Sequence, residues 1–236
     1  MKKTILLAFI LFSFIGLSQR AKQERYKNFD KRLFHFGFML GFNSSDFTLY
    51  QKVNAFNQYG IVSITTDAQP GGQLGILTTM KLFTPVLRLR FIPTLSFQEK
   101  VLNYKSLDSI NFPKGVGQER VNSTNLDFPL MLQFRTKRYN NFAAYVLAGA
   151  QYSMDLQSQE KASQNYIDPF VKIKRNDFQG QLGCGIEFFA PYFKVGFELK
   201  YSRGFVNSFI QDFTPVSNPI DKLYNKALWV SIIFEG

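Results

Sequence analysis

Residues that commonly catalyse reactions are few in this chain. His35 is the only histidine and Cys184 the only cysteine. Asp46 and Asp67 are isolated carboxylates, with no second acid at a spacing typical of a general acid–base pair. The sequence also lacks a nucleophile elbow, a phosphate-binding loop and a metal-ligand spacing. The one enzymatic hypothesis left is an active site that modifies lipid, in which His35 would act with a serine and an acid.

Several segments alternate apolar residues with a second set of positions that includes charged residues. Arg88 and Arg90, for example, alternate with Leu87, Leu89 and Phe91. Successive side chains of a β-strand point to opposite faces, so each segment would carry its charges on one face and its apolar residues on the other. Both signs of charge are present, which suits mutual pairing. The set comprises Arg88, Arg90, Asp127, Arg135, Glu187, Lys194, Glu198 and Lys200.

The segment 33–43 shows the alternation most clearly. One side of the extended chain carries Phe34, Phe36, Phe38, Leu40 and Phe42, and the other carries His35, Gly37, Met39 and Gly41. Seven later segments repeat this period of two, which predicts a β-strand at each. Pro93 interrupts the third, where we expect a bulge or a poorly paired position. The predicted strands lie at about 34–42, 74–82, 87–98, 125–135, 142–153, 178–189, 192–202 and 226–234.

The connections between these strands alternate in length. Those at 43–72, 99–124, 154–176 and 203–225 are long, and the three between them are tight turns. Outer-membrane barrels have short periplasmic turns and long outer loops, and a tilted strand of about ten residues crosses the hydrocarbon layer. A soluble all-β protein is the alternative, but it has no reason to sort its connections in this way. The sequence therefore predicts an all-β fold, an eight-stranded antiparallel transmembrane β-barrel of the outer-membrane type.

The charged face would then line the interior of this barrel. Eight strands enclose a lumen that side chains fill, so we expect the charges to pair into a plug; a selectivity ring in a pore needs a wider barrel. We expect His35 to be a hydrogen-bonded interior residue near the periplasmic rim, whereas sites that act on lipid lie on the outer face or rim. Cys184 falls on the apolar face and should behave as a small hydrophobe. These assignments predict a non-enzymatic protein with no cofactor.

The N-terminal residues 1–18 have the pattern of a cleaved secretory signal peptide. A short basic head precedes an apolar run of about fourteen residues, and cleavage is expected near Ser18. A buried N-terminal helix is the alternative. Residues 19–32 form a basic, polar segment that we expect to be a solvated periplasmic lead-in, or else a docking segment for a partner. Residues 33–236 would form the barrel in the outer membrane.

The surfaces outside the bilayer are the expected working parts of such a protein. The formal net charge of +11 favours contact with anionic outer-membrane lipid and lipopolysaccharide, and export argues against nucleic acid as a partner. Binding residues concentrate on loops held by a rigid scaffold. Aromatic residues in the long loops indicate contact with other proteins, or loops that fold onto the barrel rim. They are Phe47, Tyr50, Phe56, Tyr59, Tyr104, Phe112, Tyr166, Phe170, Phe209, Phe213 and Tyr224.

The opening FHFGF at 34–38, with LGFN at 40–43 and Asp46-Phe47, resembles the start of the PorT family of Bacteroidota outer-membrane proteins. The run NLDFPLMLQF at 125–134 and the final strand are also similar, although the LDxP element recurs in other small barrels of that phylum. The resemblance spans the mature chain and rests on structural motifs, with no active-site residues to carry over. It implies a component of the type IX secretion system, partnered by other components of that machine. That system carries proteins with a C-terminal sorting domain across the outer membrane, and in gliding relatives it exports the motility adhesins.

Overall fold

The computed structural model of the protein describes residues 25–26, 29–55, 60–106, 117–160, 162–163 and 170–236. The predicted signal peptide lies outside these residues. Within them the chain forms one short 3-10 turn and nine β-strands. The turn is Phe29–Lys31, and the strands are β1 Phe34–Gln51, β2 Ile61–Lys81, β3 Leu87–Phe91, β4 Thr94–Ser106, β5 Gln118–Arg135, β6 Phe142–Asp155, β7 Asn176–Phe189, β8 Lys194–Gly204 and β9 Ile220–Glu235.

The strands close into an antiparallel barrel. Apart from β3 and β4, neighbours along the chain pair with each other, and β9 returns to pair with β1 from Gly37↔Glu235 onward. Strands β3 and β4 lie end to end between β2 and β5. The break between them falls at Ile92 and Pro93, because proline has no amide hydrogen to give to a neighbouring strand. Counted as one interrupted strand, β3 and β4 complete the predicted eight.

Apolar side chains cover the outside of this barrel. Phe42 is 76% exposed, Ile76 68% and Leu182 65%, whereas charged side chains point inward. A protein folded in water would bury such residues, so the arrangement suits a wall that faces hydrocarbon. Aromatic residues at the short turns, such as Phe83 and Tyr192, extend the apolar belt toward the periplasmic interface. The described residues contain no helix long and apolar enough to span a bilayer.

The strands extend beyond the predicted bounds, so two of the predicted long loops are largely wrong. Most of 43–72 is strand, as β1 continues to Gln51 and β2 starts at Ile61. Within the predicted loop at 99–124, β4 likewise runs to Ser106 and β5 starts at Gln118. Above the bilayer the outer face of a strand meets water and becomes polar, which removes the apolar alternation. Backbone pairing continues there all the same.

A hydrophobic cap closes the outer end of the barrel. Phe47, Tyr104 and Phe209 point inward here, and the Tyr104 hydroxyl donates a 2.9 Å hydrogen bond to the carbonyl oxygen of Val216. Burial raises the pKa of this phenol. These three loop aromatics therefore fold onto the rim, whereas Phe213 stays 80% exposed. The predicted loop aromatics Phe56, Tyr59, Phe112 and Tyr166 lie outside the described residues.

Candidate functional site

The eight predicted interior residues are all buried inside the barrel. Seven of them gather toward the periplasmic end, which is the end of the short turns, and join one ion-paired group with two further acids. Asp127 lies apart from this group, where its Oδ2 accepts a 2.7 Å hydrogen bond from Ser96. We call the group the charged cluster; it contains Arg88, Arg90, Arg135, Lys194 and Lys200 with Asp30, Glu187, Glu198 and Glu235.

Glu187 is the most heavily contacted carboxylate of the charged cluster. Its Oε1 lies 2.9 Å from Nζ of Lys194 and accepts a 2.7 Å hydrogen bond from the Gln133 amide. Its Oε2 lies 3.5 Å from Nη1 of Arg135, and Arg90 approaches Oε1 to 3.9 Å. Burying a carboxylate costs several kcal/mol unless partners replace its water. Three cations and one amide replace that water here.

Arg90 and Glu198 form the second centre of the charged cluster. Nη1 of Arg90 donates to Oε2 of Glu198 at 2.6 Å, and the Tyr145 hydroxyl donates to the same oxygen at 2.9 Å. Lys200 lies 3.1 Å from the other carboxylate oxygen. The Arg90 guanidinium also lies 5.2 Å from the centre of the Tyr145 ring, within the range of a cation–π contact. The whole centre is held by charge-assisted contacts away from water.

Two acids of the charged cluster were missed by the sequence reasoning. Glu235 lies 2.7 Å from Nζ of Lys194. Extending the alternation of the last strand by one residue past Phe234 would have placed Glu235 inside. Asp30 precedes the first strand, so no alternation pointed to it, yet its Oδ1 lies 2.7 Å from Arg88 and 2.6 Å from Arg135.

The lead-in turns back into the periplasmic mouth at residues 29–31, so the prediction that it is solvated is wrong for Phe29 and Asp30, whereas Arg25, Lys31 and Arg32 are exposed. Phe29 is fully buried, and the cationic groups of Arg88 and Lys194 lie 4.9 and 4.7 Å from the centre of its ring. Asp30 beside it bridges two arginines, while Lys31 stays exposed. We call the 3-10 turn 29–31 the stopper, because it closes this end of the lumen.

The stopper also covers His35. The imidazole is 1% exposed, as expected for an interior residue, and it stacks on Phe29 with 3.8 Å between ring centroids. None of the described protein groups supplies a hydrogen bond to either of its nitrogens, so the expected hydrogen bonding stays a prediction. The contact that the structure shows for the imidazole is the stacking against Phe29.

Replacing Asp30 by asparagine should loosen the stopper. Arg88 and Arg135 would lose their shared anion, and the free energy of unfolding should fall by about 1 to 3 kcal/mol. Trypsin should then cut faster after Lys31. Urea unfolding and limited proteolysis of the refolded protein measure both effects. Asp221→Asn, at an exposed position near the outer end, should change stability by less than about 0.5 kcal/mol; an equal loss in both variants would contradict the assignment.

Apolar and polar layers fill the rest of the lumen. Met39, which lies 3.8 Å from Nζ of Lys200, belongs to a small apolar group beside the charged cluster. Nearer the outer end, Asn225 accepts a 2.9 Å hydrogen bond from Lys100 and donates one of 2.7 Å to Asp177. The hydrophobic cap lies beyond these residues.

The interior side chains are shielded from water along this length. Exposure is 0% for Arg88 and Gln133, 1% for Lys194 and 3% for Lys100. Side chains that line a water-filled channel would keep contact with water, and these do not. The described residues thus fill the barrel as a packed interior. Chemical groups for catalysis are sparse as well: Cys184 is exposed on the outer wall, and no described set of three His, Cys, Asp or Glu side chains could hold a metal ion.

Comparisons with known proteins found distant structural likenesses and one matching family model. Among solved structures, the chain is similar to the outer membrane protein OprG of Pseudomonas aeruginosa, with 18% identity and a TM-score of 0.49 over 86% of this chain and 95% of that one. Ail of Yersinia pestis matches at 11% identity and a TM-score of 0.38, over 87% and 100% of the two chains. The outer membrane protease OmpT of Escherichia coli matches at 11% and 0.44, over 92% and 99%.

These structural likenesses carry neither an activity nor a ligand to this chain. A search of curated proteins gave no match. A family model described as an outer membrane protein beta-barrel domain, however, matches residues 18–210, which is most of the chain. The chain therefore belongs to this family of outer-membrane β-barrel domains.

Proposed function

We propose that the chain is a non-enzymatic component of the type IX protein secretion system that works through its loops and periplasmic face. The observation that carries this proposal is the filled lumen, since interior residues such as Arg88 and Gln133 are removed from water. A route for cargo through the barrel is therefore unsupported. The protein would act instead through contacts of its loops and its periplasmic face. The likeness of FHFGF and NLDFPLMLQF to the PorT family supports secretion as the process. A cleaved signal peptide at 1–18 would deliver the chain to the periplasm.

The burial of His35 supports a non-enzymatic role. A catalytic histidine must reach its substrate, and this ring lies beneath Phe29 with 1% exposure. The thiol of Cys184 is exposed on the outer wall, where its strand partners are the apolar residues Val146 and Leu199. His35→Ala should therefore leave the protein's role in the cell unchanged.

Deletion of the gene tests the secretion role. Cargo with a C-terminal sorting domain should accumulate in the periplasm of the deletion strain and reappear outside the cell when the intact gene is restored. Complementation with His35→Ala should restore release to the same extent. Normal release of the cargo by the deletion strain would exclude the proposal.

Adhesion or an envelope-structural role is the second candidate function, and Phe213 favours it. This residue is 80% exposed and has a φ of 61°, a backbone conformation that is strained for an aromatic residue. Oδ1 of Asp212 accepts a 2.9 Å hydrogen bond from the Thr214 hydroxyl, which helps to hold the loop. Strain that presents an aromatic side chain to solvent suits contact with a partner. Loss of cell adherence in Phe213→Ser, with normal cargo release, would favour this role over secretion.

A further inference from the structure

A basic cleft lies on the outer wall of the barrel where β8, β9 and β1 leave the apolar belt. Its volume is about 500 Å³. Three aromatic side chains and three charged ones line it: Tyr50, Phe205 and Tyr224 with Arg203, Lys222 and Asp221. The side chains of Arg203 and Lys222 are both exposed.

The register of the strands sets the height of the cleft. Arg203 pairs with Lys226, and the next outward-facing pair toward the periplasm is Tyr201 with Leu228. Tyr201 and Leu228 are each 45% exposed and belong to the apolar belt. Two residues of strand span about 7 Å, so Arg203 lies about one side-chain length above the apolar belt, at the level of lipid headgroups in the outer leaflet. Lys222 lies four residues beyond Lys226 on β9, about 13 Å further along the strand, and lines the upper part of the cleft.

The cations of the cleft are only partly balanced by neighbouring acids. Arg203 lies directly opposite Lys226, and like charges at opposed positions of antiparallel strands destabilise the pair. Lys226 is compensated, because its Nζ lies 2.9 Å from Oδ2 of Asp46. Arg203 and Lys222 have no ion-pair partner within 4.0 Å among the described residues. Asp221 is the single acid of the lining, so the cleft keeps a positive excess.

The aromatic walls of the cleft are held by packing. The rings of Tyr50 and Tyr224 meet edge to face, with 5.9 Å between centroids. The edge of the Phe205 ring lies over Gly180, where a Cβ atom would overlap it. The backbone amide of Phe205 donates a 2.9 Å hydrogen bond to the carbonyl oxygen of Phe178. Amphipathic rings at this height anchor a barrel wall at the membrane–water boundary.

We propose that this cleft binds the phosphate group of an outer-leaflet glycolipid headgroup. Arg203 and Lys222 would supply charge-assisted hydrogen bonds to the phosphate, since guanidinium and ammonium groups are the usual protein partners of phosphate oxygens. Tyr50, Phe205 and Tyr224 would contact the sugar, and the apolar belt below would receive the acyl chains. The inference shares one premise with the proposed function, namely that the long loops lie on the outer side of the membrane. It does not depend on the secretion role.

Native mass spectrometry of the purified full chain in phosphatidylcholine nanodiscs tests the proposal. The probes are lipid A with its phosphates and lipid A from which they have been removed. The intact protein should retain phosphorylated lipid A, and Arg203→Gln/Lys222→Gln should weaken its apparent affinity about tenfold. Arg203→Lys should keep most of the binding. A gel that compares heated with unheated samples checks that each variant is folded.

The control variant removes two cations from the opposite wall at the same end of the barrel. Lys105→Gln/Arg120→Gln lies on β4 and β5, across the barrel from β9, and should bind like the intact protein. Equal losses in the two double variants, or equal retention of dephosphorylated lipid A, would overturn the proposal in favour of general surface charge. Displacement of the lipid by equimolar inorganic phosphate would overturn the lipid as the source of the anion. The cargo-release experiment tests the secretion role and not the lipid site, so the two proposals can fail independently.

Discussion

Replacing Glu187 by glutamine is expected to lower the free energy of unfolding by about 3 to 5 kcal/mol, because it leaves buried cations without their main counter-charge. Lys194 and Arg135 lie 2.9 and 3.5 Å from this carboxylate, and Arg90 lies at 3.9 Å. The charged cluster would then hold five cations against three acids. Glutamine keeps the shape and one acceptor, so the loss reports the charge. Urea unfolding of the protein refolded in lipid vesicles measures it.

An exposed ion pair of the same barrel provides the control for Glu187→Gln. Glu99 lies 3.2 Å from Arg120, but the two side chains are 34% and 62% exposed. Water already solvates both charges, so Glu99→Gln should cost about 0 to 1 kcal/mol. Similar losses at Glu187 and Glu99 would mean that burial does not govern the charged cluster, and the plug interpretation would have to be abandoned.

The sequence predicted the wall of the barrel well, because a strand between lipid and a packed lumen has two unlike faces. Alternation placed the aromatic residues outside and the charges inside, and Pro93 marked the break between β3 and β4. The prediction of strand ends failed where the two faces of a strand are similar in polarity. Above the bilayer both faces of β1 and β2 carry polar residues, so strand continued through positions expected to be loop.

The stopper could not be predicted for a different reason. Alternation shows which face a strand residue takes, but Phe29 and Asp30 lie in a turn before the first strand. Their contacts with His35 and Arg88 depend on how the chain re-enters the mouth of the barrel. The basic composition of 19–32 indicated solvation, and one phenylalanine and one aspartate among the basic residues outweighed it. Contacts of this kind can be predicted only once it is known which buried charges in the lumen need a partner.

Gly37→Ala is expected to impair closure of the barrel, with a loss of about 1 to 3 kcal/mol or more. Gly37 forms the first pair of the β1–β9 seam, opposite Glu235. A Cβ atom at Gly37 would overlap the carbonyl oxygen of Phe234 and lie 3.0 Å from Cα of Glu235. Backbone atoms cannot move aside as a flexible side chain would, so the seam itself must shift. That shift would also draw Glu235 away from Lys194 and weaken the charged cluster.

Gly72→Ala separates this steric effect from the general effect of replacing glycine in a strand. Gly72 lies in β2, and no described atom comes within 4 Å of a Cβ atom placed there. Alanine should fit and stabilise the fold slightly, by up to about 1 kcal/mol, because it restricts the unfolded chain. The fraction of unheated protein that migrates as the folded band, followed by urea unfolding of that fraction, measures both variants. If Gly37→Ala folds and unfolds like Gly72→Ala, the β1–β9 seam can accommodate a Cβ atom. The close approach of β1 and β9 would then not be what requires glycine at this position.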